Sequence, residues 1–333
     1  MHRSIALLIL IVGVTFSTWL RSERVTPARD KTLTFVAEPR PSEAILQAHL
    51  GPFRLEKAWE MKLGSWKFGG YSALVPLPDG RMLTLSDLGR FLVFAPPGGP
   101  KAKPWIGNLL DNPNHNKSDV DVESATRDPA TGSIWLGLEL RNSIIRLNSN
   151  WVQTGSVRPE IIRHWGKNSG PEAMTRLQDG RFVLLQEAPL DWWRGHRHDA
   201  VIFAGDPVEA PDAVERFVFD GPSGFDPVDM VQIPDGRVLV LMRALVWPFP
   251  QRFAARIAIA DPEEIRAGGV WHAKEVARIA SSLPVDNFEG IAVTPRDDGK
   301  LTVWLISDDN QAALQRTLLW KLVVDPADLP SGG

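Results

Sequence analysis

NFEGIAVTPRDDGKLTVWLISDDN, residues 287–310, is the stretch from which the fold of this chain can be predicted. An acidic side chain, Glu289, opens a short apolar run, a turn rich in Asp and Gly follows, and a second apolar run ends at Asp308. Two apolar strands joined by a turn in which glycine supplies a positive φ are typical of a β-hairpin. The chain repeats this unit, and we therefore expect a repeat protein built from hairpins.

Four earlier segments follow the same pattern: residues 69–87, 121–139, 170–187 and 225–243. An acid or a hydroxyl opens the first strand of each of the five units: Ser72, Glu123, Glu172, Asp229 and Glu289. These positions are spaced about 50 to 60 residues apart. Strand-rich units at that spacing predict a β-propeller rather than a helical solenoid.

Further apolar runs complete each unit to a four-stranded blade. The third runs cover residues 91–94, 144–147, 200–204, 256–260 and 318–324, and weaker fourth runs include 214–219 and 271–279. The last unit ends after its third strand, so residues 55–63 are expected to supply the missing fourth strand and close the ring. We therefore predict an all-β fold, a β-propeller of five or six four-stranded blades.

Composition excludes several classes of function. The chain has 333 residues, is 44% hydrophobic and carries a net charge of −3, so it can bury a large core but lacks the basic surface of a nucleic-acid binder. It contains no cysteine, which excludes disulfides, thiol nucleophiles and Cys-ligated zinc.

The N-terminal segment has the pattern of an export signal. Arg3 and Arg21 flank a mostly apolar run, residues 5–20, slightly shorter than the roughly 20 residues that span a bilayer. Residues 1–22 predict a signal peptide or an uncleaved membrane anchor, with a buried helix as the alternative, and the domain is expected to be periplasmic or secreted. Residues 23–53 are interpreted as a linker with a short helix over 42–50, residues 54–326 as the propeller and residues 327–333 as a tail.

The repeat pattern also predicts where the chemistry lies. In a propeller the first strand of each blade lines the central channel, so the side chains that open these strands form a ring at one mouth. The second strand runs antiparallel, and its end lies on the same rim. The residues at those ends are Asp87, Glu139, Glu187, Arg243 and Asp308. The result is an acidic funnel.

Carboxylates crowded around one opening repel one another, and they require protons, other cations or a bound metal ion. Ligands that offer only oxygen select hard cations, so Ca²⁺ is the first candidate and Mg²⁺ the second. The candidate metal ligands are Glu123, Glu139, Glu172, Asp229, Glu289 and Asp308. The alternative is that the acids solvate a water-filled channel or cap strand ends.

The loop DWWRGHRHD, residues 191–199, is expected to project from the same rim. Trp192 and Trp193 are predicted to cover a substrate, with His196 and His198 contributing protons or a metal ligand. Residues 247–250, WPFP, could form the opposite wall. The alternative is a long surface loop whose tryptophans pack on the neighbouring blade.

Several motifs, in this order, resemble the phytase-like family of exported β-propellers, "esterase-like activity of phytase". They are GGYSAL at 69–74, LSDLGR at 85–90, DVES at 121–124, GPEAM at 170–174, VLMR at 240–243, NFEG at 287–290, LISDDN at 305–310 and QRT at 315–317. The resemblance covers residues 55–325 and implies hydrolysis of an ester or phosphoester, assisted by metal. Two departures are Tyr71-Ser72, where a Ser-Gly pair is expected, and Met242, where an acid is expected. The second departure counts against a complete acidic ring in the fourth blade.

Metal-assisted hydrolysis assigns the remaining roles. Asp87 or Glu187 is the candidate general base, with a pKa raised by neighbouring negative charge. The candidate clamps for an anionic group are Arg243, Arg252 and Arg316, each of which could instead form a salt bridge. Ser72 is a candidate nucleophile, although the sequence around it lacks the second Gly of a nucleophile elbow.

Two other functions remain compatible with the sequence: a propeller that binds a sugar, peptide or envelope partner without catalysis, and a purely structural metal in the channel. Catalysis predicts metal-dependent turnover, whereas a structural metal predicts that chelation lowers the melting temperature without any substrate. We expect a monomer with a small ester or phosphoester substrate, no nucleic-acid partner, and membrane contact only through the N-terminal segment.

Overall fold

Five antiparallel sheets form the blades of a β-propeller in the computed structural model, which describes residues 32–109, 120–166, 169–190, 196–246, 252–312 and 314–331. The first strands of neighbouring blades contact one another in a closed ring. The predicted propeller is therefore confirmed, and the number of blades is five rather than six.

Two strands and a helix precede the first hairpin: β1 (Thr34–Ala37), α1 (Glu43–Leu50) and β2 (Arg54–Lys62). The first blade consists of β3 (Tyr71–Pro76), β4 (Met82–Ser86), β5 (Arg90–Phe94) and β6 (Trp105–Asn108). The second consists of β7 (Val122–Arg127), β8 (Ile134–Leu138), β9 (Ser143–Leu147) and β10 (Gln153–Val157). The third consists of β11 (Pro171–Arg176), β12 (Phe182–Pro189), β13 (Arg197–Phe203) and β14 (Val214–Asp220).

The remaining strands build the last two blades. The fourth blade consists of β15 (Asp226–Gln232), β16 (Val238–Val246), β17 (Arg252–Ala260) and β19 (Lys274–Ile279), while β18 (Val270–His272) lies between β17 and β19 in the chain. The fifth contains β20 (Asn287–Pro295), β21 (Leu301–Asp308) and β22 (Leu318–Val324). Short 3-10 turns occupy Glu160–Ile162, Pro262–Glu264 and Pro326–Asp328.

The ring closes through β2, as the sequence predicts. β2 pairs antiparallel with β22, with Leu55 opposite Leu322 and Trp59 opposite Leu319. Leu55 and Trp320 are buried in one apolar cluster with the fifth blade. The N-terminal strand thus removes the sheet edge that β22 would otherwise expose.

The stretch 271–279 divides between two blades instead of forming one strand. β18 pairs in parallel with β14 at the outer edge of the third blade, whereas β19 pairs with β17 in the fourth. The backbone N–H of Ala273 donates to the carbonyl oxygen of Asp220 at 2.9 Å. This hydrogen bond keeps the chain on the third blade as far as Ala273, the residue immediately before β19.

Part of the range interpreted as a linker, residues 23–53, has regular structure. β1 pairs with β2, and Leu46 and Leu50 of α1 are buried in the same apolar cluster as Val276 of the fourth blade. The described part of that range therefore packs on the propeller. None of the helices in the described part of the chain is long and apolar enough to cross a membrane. The apolar segment 5–20 lies outside the described residues.

Candidate metal centre

A β-bulge opens the first strand of every blade. In each hairpin the pairing register shifts by one residue near the start of the first strand. The residues left unpaired by the shift are Ser72, Glu123, Glu172, Val228 and Glu289. A bulge re-aims the side chain of its extra residue and is common beside functional sites. These five positions are equivalent, and they define a ring at the channel mouth.

The fourth blade departs from the sequence alignment by one residue. Val228 occupies the bulge, and Asp229 is the next residue, which pairs with Leu241. The Oδ1 atom of Asp229 accepts a hydrogen bond from the Met230 N–H at 2.8 Å, and Oδ2 accepts one from the Ile291 N–H at 2.8 Å. Its carboxylate therefore joins the fourth blade to the fifth, and burial raises its pKa well above the usual range.

Replacing Asp229 by Ala is expected to destabilise the protein without weakening cation binding. The change leaves two buried backbone N–H groups without their acceptor, which costs about 2 to 3 kcal/mol of unfolding free energy. Urea denaturation measures this loss, with the exposed Asp212→Ala as the matched control. Loss of calcium affinity in Asp229→Ala, measured by calorimetry, would show instead that Asp229 is a metal ligand.

In every blade a residue at, just after or a few positions before the end of the second strand lies beside the start of the first strand. Asp87 donates its N–H to the carbonyl oxygen of Gly70 at 3.2 Å, and Arg243 stands opposite Asp226 in the pairing register. We call these end positions, together with the bulge positions, the rim. The rim's second-strand residues are Asp87, Glu139, Glu187, Arg243 and Asp308.

Two groups of carboxylates at the channel mouth come close enough to share a cation. Asp121, Glu123 and Glu139 each offer an oxygen within 4.8 Å of the others, and so do Glu139, Glu172 and Glu187. Glu139 belongs to both groups, which are the candidate metal-binding groups among the described residues. A buried set of carboxylate oxygens suits Ca²⁺ and, at smaller size, Mg²⁺.

Burial is the main reason why carboxyl groups at the mouth have raised pKa values. It raises the pKa values of Glu123, Glu172 and Asp308 well above the usual range, and neighbouring carboxylates raise them further. Among the neighbouring charges, Glu289 raises the pKa values of Glu123 and Asp308 most, and Glu187 raises that of Glu172 most. Without a cation, these groups hold protons that their unfolded counterparts would release.

The pKa of Glu139 lies close to neutral pH. Burial raises its pKa to about 7, a hydrogen bond with Glu172 lowers it, and the charges of Asp121 and Glu187 raise it. A cation bound here would replace the protons of Glu139 and its neighbours, because only deprotonated carboxylates are good ligands.

Arg243 neutralises one side of the rim. Its Nη2 contacts Glu187 Oε1 at 2.8 Å, and its Nη1 contacts Glu289 Oε1 at 3.0 Å and donates to Asn287 Oδ1 at 2.9 Å. Burial lowers the pKa of the Arg243 guanidinium, but the carboxylates of Glu289 and Glu187 outweigh burial and raise it above its usual range. The predicted anion clamp is thus directed at the protein's own carboxylates.

The sequence reasoning missed Asp121, Asp226 and Asn287. Each stands two residues before the bulge of its blade, so the signal was a polar side chain at a constant offset from the turn. Burial and the charge of Glu187 raise the pKa of Asp226 to about 6. Asn287 donates from Nδ2 to Glu289 Oε1 at 2.6 Å and so fixes that carboxylate.

Ser72 occupies the bulge of the first blade, where three other blades carry Glu. Its hydroxyl is buried, with 2% of the residue exposed, and it has no hydrogen-bond partner among the described residues. Within the described ranges, this hydroxyl therefore lacks the hydrogen-bonded base that a serine nucleophile requires. A buried hydroxyl without a hydrogen-bond partner is suited to supply a further oxygen ligand to a group bound in the ring.

Gly70 allows the first strand to start against the rim. Its φ is 72°, and an added Cβ would lie 3.0 Å from Asp87 Oδ1 and 4.0 Å from Asp308 Oδ1. A residue with a side chain would be strained at this positive φ and would also crowd these carboxylates.

The other predicted site residues take diverse positions. His198 lies within β13, not in a loop; it is 0% exposed, and burial lowers its pKa to about 4. His196 Nε2 lies 4.0 Å from Asp220 Oδ1. Arg316 is engaged by Glu38 at 2.8 Å, and Arg252 is exposed at the start of β17. Trp192, Trp193 and residues 247–250 lie outside the described residues.

Comparisons with known proteins agree with this architecture. No curated protein matches the sequence. An endo-arabinase from Bacteroides thetaiotaomicron VPI-5482 superposes with a TM-score of 0.51 and 11% identity, over 77% of this chain and 93% of that chain. A glutaminyl cyclase from Myxococcus xanthus gives a TM-score of 0.48 and 11% identity, over 82% of this chain and 96% of that chain. The endo-arabinase similarity supports the propeller fold.

Residues 67–311 match the phytase-like family, whose description reads "Esterase-like activity of phytase". The matched range contains all five bulges and the rim residues from Asp87 to Asp308. This chain belongs to the phytase-like family.

Proposed function

We propose that this protein is an exported hydrolase that cleaves a carboxylic ester or a phosphoester with the help of a divalent cation at the channel mouth. The observation that carries the proposal is the convergence of buried and half-buried carboxylates into two groups that share Glu139. Membership of a family described by an esterase-like activity supports ester hydrolysis. The apolar segment 5–20 with its flanking arginines supports export.

The donor set favours Ca²⁺ and, after it, Mg²⁺. The groups offer carboxylate oxygens, and the orphaned Ser72 hydroxyl adds a neutral oxygen to the same ring. The residues that would hold the cation are Asp121, Glu123, Glu139 and Glu172. When bound, such a cation acidifies water and polarises the oxygen of the scissile group.

The chain's own residues supply the base and the positioning. Asp87 follows β4 at the channel mouth, where its N–H donates to the carbonyl oxygen of Gly70, and we assign it the role of general base toward the attacking water. Arg243 keeps Glu187 and Glu289 in place through ion pairs of 2.8 and 3.0 Å. Because the pKa values of Glu123 and Glu172 are raised, these carboxyls carry protons without a cation and would release them when a cation binds.

The test is a hydrolysis screen of the purified protein against p-nitrophenyl carboxylic esters and phosphomonoesters, with calcium, with magnesium and with chelator. We expect turnover with calcium that chelator abolishes and added calcium restores. Calcium binding without turnover of any substrate would contradict the proposal and favour a binding propeller. If chelation only lowers the melting temperature and affects no turnover, the cation has a structural role.

A further inference from the structure

The fourth blade has a hairpin that continues above the rim. β16 extends three residues beyond Arg243 and stays paired with β17 through Ala244–Ala254, Leu245–Phe253 and Val246–Arg252. In the first and second blades the second strand stops before its rim residue, at Ser86 and Leu138. In the third blade β12 continues to Pro189, two residues beyond Glu187, so among the described residues the longest extension, a raised wall, stands on the side of Arg243 and the mouth is asymmetric.

Leu245 and Phe253 belong to the face of this wall that carries Arg243. Side chains alternate along a strand, so Leu245 lies on the same face as Arg243, one step farther out. Cross-strand partners share a face, which places Phe253 beside Leu245. Leu241, on the same face below the rim, is fully buried, whereas Leu245 is 43% exposed. Apolar surface thus adjoins the charged mouth.

The mouth is poorly suited to a ligand with several negative charges. The carboxylates that interact across it are Asp87, Asp121, Glu123, Glu139, Glu172, Glu187, Asp226, Glu289 and Asp308. The guanidinium of Arg243 already pairs with Glu187 and Glu289. Even with a divalent cation bound beside Arg243, these carboxylates outnumber the positive charges. Each further anionic group would therefore add repulsion in a weakly solvated space, whereas a neutral ester would add none.

We propose that the substrate is a neutral ester whose apolar acyl or alcohol group packs on Leu245 and Phe253 while its ester group lies over the rim carboxylates. The hydrolytic part of this inference rests on the proposed function. The apolar contact does not, because a non-reactive apolar ligand would occupy the same surface. Partial burial of each methylene group is expected to favour binding about twofold.

A series of p-nitrophenyl acetate, butyrate and hexanoate tests the inference, because these esters share a leaving group and differ only in acyl length. We expect kcat/KM to rise about tenfold from acetate to hexanoate and to exceed that for p-nitrophenyl phosphate. Leu245→Ser and Phe253→Ser should each flatten the rise. Val152→Ser is the matched control, since Val152 is 59% exposed in the turn between β9 and β10, at the end of the second blade away from the rim, and should keep the rise.

Binding of the neutral fluorescent probe N-phenyl-1-naphthylamine separates this inference from the hydrolytic one. The unmodified protein and Val152→Ser are expected to bind the probe about tenfold more tightly than Leu245→Ser or Phe253→Ser. Thermal melting confirms that each variant is folded. Absence of hydrolysis alone would contradict only the proposed function. Equal probe binding by all variants, or a preference for phosphate with no effect of chain length, would overturn the apolar contact.

Discussion

Replacing Glu123 by Gln is expected to reduce calcium-dependent hydrolysis by about a thousandfold while the propeller stays folded. Glu123 is the bulge residue of the second blade and offers an oxygen within 4.8 Å of those of Asp121 and Glu139. The amide keeps the shape of the side chain but removes the negative charge that attracts a cation. Steady-state kinetics at saturating calcium measure the loss, and calorimetry should show calcium binding about a hundredfold weaker.

The Asp229→Ala variant is the matched control for Glu123→Gln. Both residues are buried acids near the start of a first strand, but the Asp229 oxygens meet backbone N–H groups. Asp229→Ala should lose stability and keep calcium affinity, whereas Glu123→Gln should lose affinity. Without calcium, Glu123→Gln should be at least as stable as the unmodified protein, because the amide replaces an acid whose ionised form burial and neighbouring carboxylates disfavour. Calcium affinity and turnover unchanged in Glu123→Gln would contradict the assigned site.

The fold was predictable because each blade repeats local turn chemistry. Turns such as Asp179-Gly180 and Asp235-Gly236 end one apolar strand and begin the next, and the structure has hairpins at these places. The closing strand was also predictable, since a ring with one incomplete blade exposes a sheet edge. The division of residues 271–279 between two blades was not, because it depends on where Asp220 of a distant strand accepts a hydrogen bond.

The candidate site was only partly predictable, for reasons of register. The alignment matched acid with acid and so chose Asp229, whereas equal distance from the turn glycine selects Val228 as the equivalent of Glu172. A bulge moves one residue to another side of the strand, so a shift of one changes which side chain faces the mouth. The partners of Arg243 depend on side chains from three blades, and no local pattern predicts such a contact.

Without calcium, the protein is expected to lose stability as the pH rises from about 4.5 to 7. Glu139 has a pKa raised to about 7 in the folded state, above the 4.5 of an exposed glutamate in the unfolded chain. Between these values the folded protein holds a proton that the unfolded chain has lost, so the stabilisation present at low pH disappears as the folded group titrates. Glu139 alone contributes about 2 kcal/mol, allowing for solvent screening, and Glu123, Glu172 and Asp308 act in the same direction.

Urea denaturation between pH 4.5 and 8, with and without saturating calcium, measures this dependence. Calcium should abolish the loss, because the cation replaces the protons at the mouth, and its binding at pH 7 should release protons that calorimetry in buffers of different ionisation heat detects. Glu139→Gln should reduce the slope. His198, whose pKa is lowered to about 4, acts in the opposite sense within this window, but it is a single group against several raised carboxyls and its effect is the same in Glu139→Gln. Carboxyls whose pKa values are lowered, such as Asp128 and Asp235, also act in the opposite sense, but at lower pH. Stability that rises with pH over this range without calcium would contradict a mouth crowded with repelling carboxylates.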